Sequence, residues 1–152
     1  MSIKDITIVI ASFKSEKKIK NCLKSIDREV KVLVIENSND TVFKENLEKE
    51  FENVECILTG SNVGYGSANN IGLKKVKTKY ALILNPDTML HSSTLLNFIN
   101  AAEKINNFAI MAPYIQVEKD KIEKNYSKNI KPIEVESVRG FANSSSPPIG
   151  TP

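Results

Sequence analysis

The sequence predicts an α/β fold, in which helices cover both faces of a mostly parallel sheet in a three-layer, Rossmann-like arrangement. Continuous runs of β-branched and other apolar residues recur along the chain, as is typical of strands that are covered on both faces. The segments between them space their apolar residues three and four apart, which favours amphipathic helices. Alternation of such strands and helices indicates βαβ units, whose right-handed crossovers place helices on both faces of the sheet.

The first half of the chain alternates strand and helix three times. The predicted strands are residues 6–11, 30–35 and 54–58, and the predicted helices are 15–26, 41–51 and 67–76. Apolar stripes support the first two helices, and their members are Ile19, Cys22, Leu23 and Ile26, then Phe43, Leu47 and Phe51. Asp40 directly precedes the second helix, where a carboxylate is a favoured N-cap.

The second half begins with a clear strand and becomes less regular. We predict a strand over 80–84, a helix that Ser92 or Ser93 caps and that reaches 106, and a strand over 108–113. A hairpin is predicted over 114–117 and 122–126, and a strand with one exposed face over 133–138. Residues 141–152 carry no charge but three Ser and three Pro, so we divide the chain into a domain over 1–140 and, over 141–152, a linker or a tail that is disordered or foreign to the domain.

The composition excludes several classes of protein. With 41% hydrophobic and 26% charged residues in 152, the chain is long and apolar enough for one globular domain without a disulfide framework. No apolar run is long enough for a membrane span, and the opening lacks the pattern of a signal peptide. Cys22 and Cys56 lie in apolar patterns, so we expect buried thiols in a cytoplasmic protein. The basic residues are almost all Lys and are scattered among 18 acids, which argues against a nucleic-acid groove.

Three polar clusters follow predicted strands. They span residues 36–40, 61–70 and 85–87. In open parallel sheets, ligands bind outside the carboxyl ends of the strands. We therefore expect these clusters to converge on one crevice.

The second cluster contains a glycine-rich loop. Gly64 and Gly66 allow positive φ or close approach of the backbone to a ligand, and the helix that follows offers free N–H groups suited to phosphate. Gly72, inside that helix, allows close packing on the sheet. The spacing is not that of the dinucleotide-binding fingerprint, so on its own the loop is weak evidence of a binding site and favours a simple turn.

The first and third clusters each offer a carboxylate. Asp87, in Asn85-Pro86-Asp87, is a hard oxygen ligand suited to Mg²⁺ or Mn²⁺ bridging a diphosphate, and the alternative is an Asx turn. Glu36 is placed to accept a hydrogen bond from a nucleobase, and the alternative is a helix-capping loop.

Four segments together resemble family 2 of the nucleotide-sugar-dependent glycosyltransferases, and most of all their rhamnosyltransferase-like branch. They are residues 8–13 (IVIASF), 34–38 (VIENS), 62–72 (NVGYGSANNIG) and 80–88 (YALILNPDT). The resemblance covers residues 3–118 well and extends more loosely to 140. It implies the GT-A fold.

The resemblance also implies roles for individual residues. Ala11, Phe13 and Glu36 would hold the base of a nucleoside diphosphate, and Asn62 and Gly64 would lie along the nucleotide. Asp87 would bind the Mg²⁺ or Mn²⁺ and, with Asn85, reach the ribose and diphosphate. The family usually has Asp in place of Glu36 and commonly Asn in place of Lys14.

The implied reaction is inverting transfer of a sugar from a UDP- or dTDP-sugar to a glycan or lipid-linked acceptor in polysaccharide biosynthesis, in the cytoplasm or at the inner face of the membrane. The resemblance places the acidic general base in a later segment, and no acid follows Glu136. We therefore expect a C-terminally truncated, donor-binding half with no catalytic residue of its own, and self-association into a homo-oligomer. The alternative is a catalytically inactive nucleotide-binding or assembly module, so enzyme activity stays open at this point.

Overall fold

The computed structural model of the chain describes residues 2–105, 108–118, 121–124 and 140–142. The strands are β1 (Ile6–Ser12), β2 (Lys31–Glu36), β3 (Val54–Leu58), β4 (Tyr80–Ile83), β5 (Thr88–Leu90), β6 (Tyr114–Glu118), β7 (Lys121–Lys124) and β8 (Gly140–Ala142). The α-helices are α1 (Glu16–Lys24), α2 (Thr41–Glu50), α3 (Tyr65–Leu73) and α4 (Thr94–Lys104), and a short 3₁₀ helix, Ile3–Asp5, precedes β1.

A four-stranded parallel sheet in the order β3-β2-β1-β4 forms the centre of the molecule. Every residue of β1 is buried, as its unbroken apolar run predicts. The helices α1, α2 and α3 lie between consecutive strands of this sheet, so each connection from β1 to β4 is a crossover. The predicted mostly parallel α/β fold is confirmed.

Helices cover both faces of this sheet and complete the three layers. On one face, the apolar stripes of α1, α2 and α4 pack against alternate residues of β1, β2 and β3 in the larger core cluster. On the other face, α3 packs on a smaller cluster that includes Val9, Leu33, Ile35 and Ala68. The outer end of this second face is open, because Ala81 and Ile83 of β4 are exposed.

A second sheet has the order β5-β8-β6-β7. Strands β6 and β7 form an antiparallel pair, which confirms the hairpin predicted there. Strand β8 pairs parallel with β6 and antiparallel with β5, so residues 141 and 142 of the predicted tail belong to a strand. The rest of that tail and the predicted strand over 133–138 lie outside the described residues.

One local prediction was wrong, and another was confirmed only in part. The segment 108–113 is irregular, because it pairs with none of the described strands, and Ile110 is 89% exposed. Ser93 does occupy the N-cap of α4, but its hydroxyl contacts Nδ1 of His91 at 2.9 Å and makes no capping bond to the helix. By contrast, Asp40 caps α2 as predicted, accepting from Phe43 N at 2.9 Å.

In the described part of the chain, none of the helices combines the length and hydrophobicity needed to cross a membrane.

Candidate functional site

The carboxyl ends of β1, β2 and β4 meet at one edge of the parallel sheet. There Ser12 of β1 lies beside Glu36 of β2, and the Asn37 N–H donates to the Ser12 carbonyl at 2.8 Å. The loops that follow β2, β3 and β4 are joined by side-chain hydrogen bonds described below. The structure therefore brings the three predicted polar clusters together.

Asn37 holds the first two clusters to each other. Its Nδ2 donates to Asn62 Oδ1 at 2.8 Å, and its Oδ1 accepts from Val63 N at 2.9 Å and Thr59 Oγ1 at 3.0 Å. Asn62 Oδ1 also accepts from Gly64 N at 3.0 Å. Asn37 was predicted only as a member of the 36–40 cluster. Its position directly after Glu36, the last residue of β2, is the feature that could have indicated its role.

The glycine-rich loop leads directly into α3. Gly64 has a φ of +83° and is the N-cap, so the helix begins at Tyr65, earlier than predicted. The first N–H groups of a helix have no acceptor within it. A Cβ at Gly64 or Gly66 would meet no atom within 4 Å, so this backbone is open on its outer side.

Tyr65 connects the loop to the third cluster. Its hydroxyl donates to Asn85 Oδ1 at 2.8 Å, across the open end of the sheet. Tyr65 is 55% exposed, so the contact lies at the surface of the crevice. In the sequence Tyr65 is recognisable only as a member of the 62–72 motif, and no role was predicted for it.

Asp87 lies against α1. Its Oδ2 is 3.6 Å from Nζ of Lys18, and about a third of its side chain is exposed. Below it, the Cys22 thiol donates to the Asn85 carbonyl at 3.7 Å. Burial, with a further contribution from the Asp87 charge, raises the pKa of Cys22 to about 12, so this group stays a neutral thiol at physiological pH and is no nucleophile.

The residues predicted to contact the nucleobase differ in how accessible they are to a ligand. Glu36 is 1% exposed, and its Oε1 accepts from the backbone N–H of Ser38 at 2.7 Å and from the Ser38 hydroxyl. Ala11 is buried in the α3-side cluster, while Phe13, just beyond β1, is 46% exposed. Beside Glu36, the buried Ser12 hydroxyl has no hydrogen-bond partner among the described residues.

Lys14 stands in a left-handed conformation next to Phe13. Its φ is +50°, a region that favours Gly and Asn over Lys. Its ammonium lies 5.5 Å from the centre of the Phe13 ring. The turn at this strand end is thus held in a conformation that costs backbone energy.

Asp87 is the carboxylate here that a divalent metal could bind, in exchange for its Lys18 partner. Within the described residues no group of three or more His, Cys, Asp or Glu side chains is arranged to hold a metal ion. Mg²⁺ and Mn²⁺ in nucleotide sites commonly use one or two carboxylates, with phosphates and water as the other ligands. Asp87 therefore fits such an ion when a diphosphate is present.

Comparison with known proteins gives a matching family model, a similar curated protein and similar solved structures. A family model described as Glycosyl transferase family 2 matches residues 7–149. The low-salt glycan biosynthesis hexosyltransferase Agl10 of Haloferax volcanii is 26% identical over 115 residues, covering 73% of this chain and 36% of that protein.

Solved structures share the fold. S. aureus TarS 1-349 in complex with UDP superposes with a TM-score of 0.57 at 16% identity, over 74% of this chain and 35% of that one. The mannosyltransferase PcManGT of Pyrobaculum calidifontis, in complex with GDP-Man and Mn²⁺, superposes with a TM-score of 0.55 at 13% identity, over 76% and 35%. The chain thus spans about a third of the length of these proteins.

Proposed function

The chain belongs to glycosyl transferase family 2, and from this premise we propose that it binds the donor of a sugar-transfer reaction, a nucleoside-diphosphate sugar. The observation that carries the proposal is the joining of three loops at the carboxyl edge of a GT-A sheet. Hydrogen bonds such as those from Asn37 to Asn62 and from Tyr65 to Asn85 join them. A crevice at this edge is where α/β sheets bind nucleotides.

The proposed nucleotide is UDP or dTDP. Asn62 and Gly64 would follow its length, since the loop backbone is open and precedes a helix N-terminus suited to phosphate. Phe13 would offer its exposed ring to the base, with Ala11 forming the backbone wall behind it. Glu36 Oε1 already accepts a hydrogen bond from Ser38, so we propose that the other carboxylate oxygen, Oε2, accepts the hydrogen bond from the nucleobase.

Mg²⁺ or Mn²⁺ is the proposed cofactor, with Asp87 as its protein ligand and Asn85 directed to the ribose and diphosphate. The ion would neutralise the departing diphosphate. The proposal is supported by the Mn²⁺ in the PcManGT complex and by the exposed carboxylate of Asp87.

For the full reaction we propose inverting transfer to a glycan or lipid-linked acceptor in polysaccharide biosynthesis, at the cytoplasmic side of a membrane. These 152 residues would supply donor binding only. The carboxylates in or beside the polar clusters are engaged: Asp40 caps α2, Glu36 is buried with Ser38, and Asp87 pairs with Lys18. A general base must be free to take a proton from the acceptor hydroxyl.

The same observation supports the second candidate, a nucleotide-binding or assembly module that transfers no sugar. Both functions require donor binding. They differ in whether the chain supports sugar transfer once an acceptor-binding partner is supplied. A transfer assay therefore separates them once binding is established.

Calorimetric titration with UDP and dTDP, in Mn²⁺ and in EDTA, tests donor binding and the metal together. We expect tighter binding in Mn²⁺, and Asp87→Asn should abolish that gain while keeping the affinity measured in EDTA. The matched control is Asp27→Asn, which changes the net charge equally at the opposite end of the strands. Equal wild-type affinity in both buffers contradicts the metal role, and no binding of either nucleotide contradicts donor binding.

A further inference from the structure

Lys18 and Asp87 form an ion pair between two elements of the crevice. Lys18 lies in the first turn of α1, which follows β1, and Asp87 follows β4, which pairs with β1. Nζ and Oδ2 are 3.6 Å apart, with 49% and 32% of the two side chains exposed. Because β1 and β4 are neighbouring strands, the Lys18 ammonium and Asp87, the candidate metal ligand, lie next to each other.

This pairing sets up a competition for one carboxylate. A divalent ion on Asp87 would meet the ammonium at close range, and like charges at such distances repel. The described residues offer no cluster of further metal-binding side chains to compensate. A metal ion arriving alone would therefore displace Lys18 without completing a set of three such protein ligands among the described residues.

A nucleoside diphosphate changes this balance. Its phosphates bring several negative charges, which supply ligands for the metal and an alternative partner for the ammonium. Lysine is suited to such an exchange, because its compact charge sits on a flexible four-carbon stem. The half-exposed Lys18 side chain has room to move.

We propose that Lys18 is a resident cation on Asp87 that opposes binding of a divalent metal alone and turns to the phosphates when a nucleoside diphosphate binds. Metal and nucleotide binding are therefore cooperative, and Lys18 is the positioning residue that couples them. By linkage, the nucleotide strengthens metal binding by the same factor as the metal strengthens nucleotide binding. This inference rests on the proposed function, since it requires both ligands at Asp87.

The test compares Lys18→Met with Lys17→Met. Lys17 is the adjacent exposed lysine of α1, carries the same charge and makes no ion pair within the described residues, so it controls for net charge and for the change of residue type. Binding of Mn²⁺ is measured from the paramagnetic resonance signal of the free ion, first without nucleotide and then with saturating UDP. Circular dichroism verifies that both variants are folded.

We expect Lys18→Met to bind Mn²⁺ alone about two- to fivefold more tightly than Lys17→Met, the range of an exposed ion pair. The factor by which UDP tightens Mn²⁺ binding should fall by at least the same amount. Equal Mn²⁺ affinities in the two variants overturn the inference. Absence of Mn²⁺ binding in both, with or without UDP, also overturns it, whereas UDP titration in EDTA tests the proposed donor site separately.

Discussion

Asn37 is the residue on which the polar contacts of the crevice converge. It is 4% exposed, and its side-chain amide uses both its donor and its acceptor to fix the segment from Thr59 to Val63. A buried amide with satisfied hydrogen bonds stabilises its neighbours, and removing it leaves groups without partners. Asn37 thus ties the position of the glycine-rich loop to the end of β2.

Replacing Asn37 by Ala should lower the free energy of unfolding by about 1–3 kcal/mol, because Val63 N–H and Asn62 lose their partner. UDP binding should weaken as well, since Asn62 and Gly64 lose their fixed position. Chemical denaturation and calorimetry measure the two effects. Asn46→Ala, at an exposed site of α2, is the control and should be neutral or slightly stabilising. Unchanged UDP affinity in Asn37→Ala would contradict the positioning role.

Site residues could be predicted from the sequence where their position depends only on the strand or helix next to them. Asn85 and Asp87 come at the end of one predicted strand, and Asn62 lies in the loop after another, so their shared location at one edge came from strand and helix patterns alone. The pairing of Lys18 with Asp87 joins residues 69 positions apart and leaves no local pattern. The burial of Glu36 likewise depends on tertiary packing at the strand end, which sequence spacing does not reveal.

At the scale of elements, Gly72 decides how closely α3 approaches the sheet. A Cβ at this position would collide with Val9 Cγ1 and come within 3.1 Å of Ile35 Cγ1. Both are fully buried side chains of the central strands, so neither has room to retreat. The close packing expected from the sequence is confirmed.

Gly72→Ala should therefore destabilise the protein by about 1–3 kcal/mol relative to Gly66→Ala. Both substitutions add a methyl group in α3 and share much of the gain in helix propensity, but a Cβ at Gly66 meets nothing within 4 Å. The difference between the two free energies of unfolding isolates the collision with Val9. Equal stabilities would show that the helix shifts without cost, contrary to this prediction.

The helices and strands that could be predicted are those whose own residues show a hydrophobic periodicity or an unbroken apolar run. The stripe of α1 is buried as predicted, with Ile19, Cys22 and Leu23 at most 3% exposed. The three-residue β5 was not predicted, because it pairs with β8 about fifty residues later and has no periodicity of its own. The wrong strand at 108–113 has an apolar run without a described partner strand, and propensity alone does not make a strand.

At the scale of the whole molecule, the two faces of the central sheet are covered unequally. Among the described elements, three helices pack on one face and α3 on the other, where Ile83 of β4 is 46% exposed. Beside it, Ala81 is also exposed, and β4 is an edge strand of this sheet within the described residues. Exposed apolar edges of this kind favour association.

We therefore expect the 152-residue chain to self-associate through this face. Ile83→Lys should shift the chain to monomer, since a charge at the centre of the contact would lose its hydration. Leu96→Lys is the control: Leu96 is 55% exposed on α4, which packs on the opposite face. Light scattering after size exclusion measures the mass. A wild-type monomer at high protein concentration, or equal effects of both substitutions, would contradict the assignment.

The last prediction concerns turnover. The chain spans 36% of Agl10 and 35% of the matched TarS structure, and the carboxylates at its crevice are already engaged. Positioning of the reacting groups accounts for about 7–11 kcal/mol of a barrier, and proton removal by a base contributes further. We therefore expect these 152 residues to bind UDP or dTDP yet transfer sugar at a negligible rate. A transfer assay with UDP- and dTDP-sugars and lipid-linked acceptors, run on samples whose nucleotide binding is verified by calorimetry, measures this. Robust turnover would contradict the prediction, and its loss in Glu118→Gln, Asp120→Asn or Glu136→Gln would then identify the base.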